Sequence, residues 1–358
     1  MNDLGGPGEQ GRLDIARYFE AAVKRGASDI LLTAGVAPCI RLNGTVAPFD
    51  LPALNADETR KLLYSVLSSE QVARFEADHE LDFSIQYGDR ARFRGNAYMQ
   101  KGAVAAVFRL IPSAIPPLSE LGVPAALEDL ALQPQGLLLF TGPTGHGKST
   151  TQAALLRIVN ERKRCHIITI EDPIEYLHAS QRSVIDQREV GEDTRSFAAA
   201  LKHVLRQDPD VILVGEMRDL ETMSTALTAA ETGHLVLATL HTNNAIQACD
   251  RIIDVFPPYQ QNQVRTQLSF CLLAIVAQRL LPRKDGKGRV VAVELLRNVP
   301  GIANLIREGK TQQLATIMET GAKFGMQTMD AAIKDLYRKG LVDRDVATRH
   351  MQSPQTLV

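Results

Sequence analysis

Leu137-Leu138-Leu139-Phe140-Thr141 runs directly into Gly142-Pro143-Thr144-Gly145-His146-Gly147-Lys148-Ser149-Thr150. The first five residues form an apolar run of the length of a buried strand. After the glycines the spacing predicts a helix with Ala153, Leu155, Leu156 and Val159 on its apolar side. Strand, glycine-rich loop and helix in this order read as a phosphate-binding P-loop. Gly142, Gly145 and Gly147 carry no Cβ, so the backbone can wrap an anion while N–H groups at the helix N-terminus point at it. Lys148 then reaches the β- and γ-phosphates of a nucleotide, ATP, and the Ser149 hydroxyl ligates Mg²⁺. The alternative is a glycine-rich turn that matches by chance; strand before, helix after and every fixed position filled weigh against it.

Outward from the loop, apolar strands alternate with amphipathic helices. Strands are expected at Leu137 to Thr141, His166 to Glu171, Val211 to Gly215 and Leu235 to His241, with helices such as Ser196 to Arg206 and Leu220 to Glu231 between them. Repeated β-α-β units imply a parallel sheet covered on both faces, with ligands at the carboxyl ends of the strands. Beyond it the chain reads as mostly helical: Ala245 to Val255, Gln260 to Leu281, Ile302 to Arg307, Thr311 to Met318 and Met329 to Lys339. Arg289 to Leu295 is a candidate strand.

Three motifs supply the groups that turnover needs. In Ile168-Thr169-Ile170-Glu171-Asp172-Pro173-Ile174-Glu175 the acids Glu171 and Glu175 follow a strand and so reach the ligand edge. In Asp208-Pro209-Asp210-Val211-Ile212-Leu213-Val214-Gly215-Glu216-Met217-Arg218-Asp219 a second strand delivers Glu216, which can align and deprotonate a water or hold Mg²⁺. Gly215 stands where an aspartate commonly precedes that glutamate. Acids at strand ends also cap helices, but two such motifs beside a P-loop favour chemistry. In Glu231-Thr232-Gly233-His234-Leu235-Val236-Leu237-Ala238-Thr239-Leu240-His241-Thr242, two histidines bracket a strand. His241 is placed to sense the γ-phosphate; His234 reads equally as a structural residue.

The N-terminal part has its own pattern. A helix over Leu13 to Arg25 stops at Gly26. Strand-like runs Asp29 to Thr33 and Cys39 to Leu42 precede the hairpin signal Asn43-Gly44, with Thr45 and Val46 beyond it. Helical stretches Asp57 to Leu67 and Glu70 to Ala77 lead to strands Leu81 to Tyr87, Ala91 to Met99 and Ala103 to Ile111. This is a small α+β domain over 12–112, after a loose start at 1–11. Pro112, Pro116 and Pro117 punctuate a linker over 113–120, where a hinge and a rigid turn both fit, and the nucleotide domain fills 121–358.

The 358 residues allow about two domains. A formal net charge of -1 and a pI near 6.7 give no general attraction to nucleic acid or anionic membrane. No run approaches the ~20 apolar residues of a membrane span, and Met1 to Gly11 is no signal peptide, so the cytosol is expected. Cys39, Cys165, Cys249 and Cys271 form no Cys-x-x-Cys pair and read as reduced core thiols.

The three motifs, in this order after the P-loop, resemble the Asp box, Walker B and His box of the secretion ATPases of the type II and type IV pilus class. The resemblance runs from about Leu13 almost to the C-terminus. Gly26-Ala27-Ser28-Asp29, Ala91-Arg92-Phe93-Arg94, Val107-Phe108-Arg109-Leu110-Ile111-Pro112, Gln187-Arg188-Glu189-Val190, Ala229-Ala230-Glu231-Thr232-Gly233-His234 and Asn304-Leu305-Ile306-Arg307-Glu308 are similar to the twitching-motility (retraction) branch. The resemblance implies an α/β fold, a RecA-like P-loop ATPase domain with a smaller PAS-like α+β domain. It also implies a homohexameric motor at the cytoplasmic face of the inner membrane, loaded by the pilus platform protein. Arg92, Arg94 and Arg109 match arginines that reach the phosphates; as residues alone they read as a solvated strand face. Three positions depart from the pattern. His146 replaces a small residue, Leu31 a histidine and Ala303 an arginine of the branch's C-terminal signature.

Other readings are a pilus-assembly or secretion ATPase, a nucleotide-gated regulator and a nucleic-acid translocase. Nothing like Cys-x-x-Cys follows Leu281, against the first. The intact acids oppose the second. No tryptophan and 5% aromatic content offer little for base stacking, against the third.

Overall fold

A computed structural model describes residues 13–42, 44–88, 91–111 and 114–357. The expected loose start at 1–11, Asn43 of the hairpin signal and Pro112 lie outside the described residues. The chain divides into two compact units, Met1–Ala114 and Ile115–Val358.

In the first unit Asp14 caps the helix Ile15–Arg25 by accepting the Ala16 amide, and Gly26 ends it with φ 62°. Strands β1 (Asp29–Leu32), β2 (Cys39–Leu42) and β3 (Thr45–Pro48) follow. Next come helices Ala56–Tyr64 and Ser69–Asp78, each started by a reciprocal capping box, Asn55 with Glu58 and Ser68 with Gln71. Strands β4 (Glu80–Tyr87), β5 (Ala91–Gln100) and β6 (Ala103–Ile111) complete a six-stranded antiparallel sheet ordered β3-β2-β1-β6-β5-β4. Ala91, Phe93, Gly95 and Ala97 of β5 are buried, alternating with Arg92, Arg94 and Asn96. The period of two sends Phe93 into an aromatic core with Phe19 and Phe108, and sends the arginines to the other face. On that face Arg94 and Arg109 are cross-strand neighbours, and Arg109 in turn faces Asp29.

The second unit opens with Ile115 and Leu118 packed on its core, and the Ile115 carbonyl accepts from Arg157 at 3.1 Å. The segment expected as a linker is therefore docked on this unit from Ile115 on. After the helix Ala126–Ala131 come β7 (Gly136–Thr141), the helix Lys148–Arg162, β8 (His166–Glu171), β9 (Val184–Glu189), the helix Phe197–Val204 and β10 (Val211–Val214). The helix Leu220–Glu231, β11 (Leu235–Thr239) and helices Ala245–Asp254 and Pro258–Cys271 lead to the hairpin β12 (Leu272–Pro282) and β13 (Arg289–Arg297). Helices Pro300–Arg307, Leu314–Thr320, Met329–Arg338 and Arg344–His350 end the chain.

The seven-stranded sheet has the order β13-β12-β7-β11-β10-β8-β9, parallel except for β13 at one edge. Leu137 and Leu139 enter the core on one face while Leu138 and Phe140 enter it on the other. Covered on both sides, β7 has no solvated face, which is why it is apolar without alternation.

One long helix was expected over Gln260 to Leu281. The structure ends the helix at Cys271 and makes Leu272–Pro282 a strand beside β7. Leu272, Ala274, Ile275, Val276 and Ala277 are all buried, and an apolar stretch buried on every side carries no periodicity to tell strand from helix. The region after β11 is thus not only helical, since its hairpin extends the main sheet. Strand β9 and the helices Ala126–Ala131 and Arg344–His350 were also not anticipated. Of the cysteines, Cys249 and Cys271 are core residues whose thiols burial pushes up to about 12, whereas Cys39 and Cys165 are only half-buried.

Candidate active site

The ligand edge of the sheet is built by loops leaving β7, β8, β10 and β11 on one rim. Gly142, at φ 131°, turns the chain out of β7 where a Cβ would lie 2.3 Å from the Gln278 carbonyl oxygen, so only glycine fits. The loop Gly142-Pro143-Thr144-Gly145-His146-Gly147 then feeds the helix that starts at Lys148. The Lys148 ammonium donates to the Gly142 and Pro143 carbonyls at 2.7 and 2.9 Å. Burial lowers its pKa, opposed by the nearby carboxylates of Glu175 and Glu216. Those two acids therefore share the P-loop's electrostatic field. Thr150 is within 3.0 Å of the Tyr176 hydroxyl, tying the helix to the loop after β8.

Glu216 follows β10 and uses one oxygen, Oε2, for both Arg218 at 2.8 Å and His241 at 3.2 Å. His241 is fixed by its neighbour: the Thr242 amide donates to Thr141 Oγ1 at 3.0 Å, joining the loop after β11 to the end of β7. Glu171 ends β8 and accepts from Thr169 Oγ1 at 2.7 Å, Gln187 Nε2 at 3.2 Å and the Glu175 amide at 3.4 Å. Desolvation dominates these hydrogen bonds and pushes its carboxyl up to about 7. A Cβ at Gly215 would lie 3.1 Å from the Ile170 carbonyl and 3.3 Å from Glu171 Cα. A side chain at 215 would crowd the strand that carries Glu171, which accounts for glycine in place of an acid.

Ser149, on the first turn after Lys148, and Glu216 offer hard oxygen donors of the kind Mg²⁺ takes. The donor set fits, and both residues belong to the rim that carries Lys148.

Among the sequence candidates, Glu171, Glu175, Glu216, His241 and the loop residues Gly142 to Thr150 share this rim. His234 does not. It precedes β11 at the opposite rim, its Nδ1 lies 3.0 Å from the Ala229 carbonyl, and the five residues of β11, about 16 Å of strand, separate it from the His241 side. Arg92, Arg94 and Arg109 belong to the first unit. There Arg92 donates to Ser84 at 2.6 Å, Arg94 lies 3.8 Å from Asp82, and Arg109 pairs with the buried Asp29 at 2.9 Å.

Gln187, Arg218, Thr141 and Tyr176 were not singled out from the sequence. Arg218 was within reach, lying two residues from Glu216 inside the quoted motif. Gln187 needed β9 to be recognised as a strand beside β8, with Gln187 opposite Thr169.

A family model described as Type II/IV secretion system protein matches residues 13–343. The chain is 46% identical over 343 residues to the type IV pilus retraction ATPase PilT of Pseudomonas aeruginosa, covering 96% of this chain and 99% of that one. It is 45% identical over 345 residues to the type IV pilus ATPase PilU of the same organism, covering 96% and 90%. A crystal structure of the pilus retraction motor PilT with bound ADP superposes with a TM-score of 0.90 at 49% identity, covering 96% and 98%. The chain belongs to the type II/IV secretion system protein family.

Proposed function

We propose that this chain is an ATP-hydrolysing motor that powers type IV pilus retraction and twitching motility. The observation that carries the reading is that Glu175 and Glu216 lie near enough to act electrostatically on Lys148 at one sheet rim, in a chain similar to PilT over almost the whole of both lengths. The P-loop amides and Lys148 bind the phosphates. Glu216 aligns a water and takes its proton as the oxygen attacks the γ-phosphoryl and ADP leaves. Its hydrogen bond to His241 gives that histidine a route to register the γ-phosphate. Mg²⁺, held by Ser149 and Glu216, would neutralise charge on the transferring phosphoryl. Glu171 and Glu175 set the field at that rim.

Six copies form the working ring. The N-terminal domain and the nucleotide domain turn hydrolysis into relative movement. Arg92, Arg94 and Arg109 supply guanidinium charge to the phosphates, an effect worth about 10³ to 10⁵ in turnover. The ring works in the cytoplasm at the inner face of the inner membrane, against the pilus platform protein and without nucleic acid. The test is deletion in the source organism. Abundant pili without surface movement is the expected result; loss of pili would favour an assembly ATPase, and unaltered movement would overturn the retraction role.

A further inference from the structure

Strand β12 outruns its neighbour. β7 stops at Thr141, opposite Ala277, while β12 continues to Pro282, so its edge beyond Ala277 meets the P-loop instead of a strand. Backbone groups on such an edge need partners. The Leu280 amide finds one in the ring of His146, donating to Nδ1 at 3.0 Å. An amide N–H can only donate, so Nδ1 must be unprotonated and the imidazole neutral. The same hairpin holds the loop a second time, through Arg289, which donates to the Gly145 carbonyl at 3.3 Å. The charged and titratable groups facing the ring are Arg289, Lys148, Arg279 and His350. Burial first, then this cationic surround, keeps the ring's pKa below its ordinary value.

We propose that His146 is a positioning residue for nucleotide binding: its neutral ring closes the open edge of β12, holds Gly145 and Gly147 in the receptive form, and releases them on protonation. Protonation places a hydrogen on Nδ1 opposite the Leu280 N–H, so the acceptor is lost and two donors face each other. The inference rests on the reading of the loop as a nucleotide site but not on pilus retraction.

The experiment is titration of the full-length protein with a fluorescent ADP analogue, using wild type, H146A, H146N and, as the reference for lost binding, K148A. The Asn Oδ1 stands where His Nδ1 stands and does not titrate. H146A is expected to weaken binding about fivefold to tenfold, and H146N to restore it to within about twofold of wild type. As the pH is taken from about 8 to well below the ordinary histidine value of about 6.5, wild type should lose affinity that H146N retains. Equal affinity for H146A and wild type would overturn the proposal. So would wild-type binding that tightens on acidification relative to H146N, because the ring would then act as a charge on the phosphates. Absence of binding by wild type would instead sink the nucleotide site itself, an outcome distinct from the other two.

Discussion

The carboxyl rim of the seven-stranded sheet carries Glu171, Glu175, Glu216 and His241; the amino rim carries His166, Asp186, Asp210 and His234. At the amino rim the polar groups satisfy one another. His166 Nε2 lies 2.9 Å from Asp186, its Nδ1 lies 3.0 and 3.2 Å from the Gln207 and Asp208 carbonyls, and its amide donates to Asp210 at 2.8 Å. At the carboxyl rim, by contrast, the Glu175 carboxylate makes no hydrogen bond or ion pair among the described residues. Lys148 donates to carbonyls of its own loop and, among the described residues, makes no ion pair. Glu175 and Lys148 thus keep capacity open toward a ligand, while Glu171 and Glu216 at the same rim already hold protein partners.

The contrast breaks most sharply at Lys148. Lys148→Ala should cost about 10²-fold or more in turnover, measured by steady-state phosphate release, because it removes a preorganised charge from the phosphate site. Retained turnover would dissolve the distinction between the rims.

The two histidines that flank β11 sharpen it. His241→Ala loses a hydrogen bond to the Glu216 carboxylate and should lower kcat about tenfold to a hundredfold, whereas His234→Ala should change kcat by less than about threefold. Equal losses at both positions would show that His234 acts on the reaction despite its place at the far rim.

Glu171 and Asp186 give smaller effects. The raised pKa values of Glu171 and of His166, the partner of Asp186, each make wild-type stability fall as pH rises, so removing Glu171 gains at high pH and removing Asp186 costs at low pH. The folded protein raises Glu171 from its ordinary value of 4.5 to about 7, so the fold favours the protonated carboxyl and loses stability as pH rises between those values. Glu171→Gln should therefore raise the melting temperature by about 2–4 °C near pH 8, with the gain vanishing near pH 4.5. For His166, burial disfavours the cation, but the hydrogen bond to Asp186 and the two carbonyls outweigh it and raise the pKa. That contribution is fully present below the unfolded histidine's pKa and is lost as pH rises through the folded one. Asp186 is 62% exposed, so Asp186→Asn should cost at most about 1 kcal/mol near pH 6, less at higher pH, and leave nucleotide affinity unaltered. The readout for both is a melting curve across pH.

The P-loop was legible because phosphate binding leaves little choice at its positions: glycines where the backbone must approach, Lys148 where charge must reach, an apolar strand before and a helix after. The acids were legible for a related reason, since strand direction sends Glu171 and Glu216 to the ligand edge. What could not be read depends on neighbours remote in sequence. Leu272–Pro282 became a strand because β7 lies beside it, and its composition alone fits a buried helix as well. Val184–Glu189, with polar Asp186, Gln187 and Arg188, shows little apolar alternation, so Gln187 was not connected to Glu171. His234 and His241 share one motif, and strand polarity was the available signal that they end on opposite rims. His146 replaces a small residue in a loop chosen for its backbone, and the partner of its ring, the Leu280 amide, lies far away in sequence.

The most direct test of the carboxyl rim as a hydrolytic site is Glu216→Gln, with nucleotide binding and steady-state ATP turnover measured on the same preparation. ATP should bind within a fewfold of wild type while turnover falls by about 10² or more, because the amide preserves shape but cannot take the water's proton. Turnover at the wild-type rate would contradict the assignment of Glu216 and, with it, the reading of this rim as the place where ATP is broken.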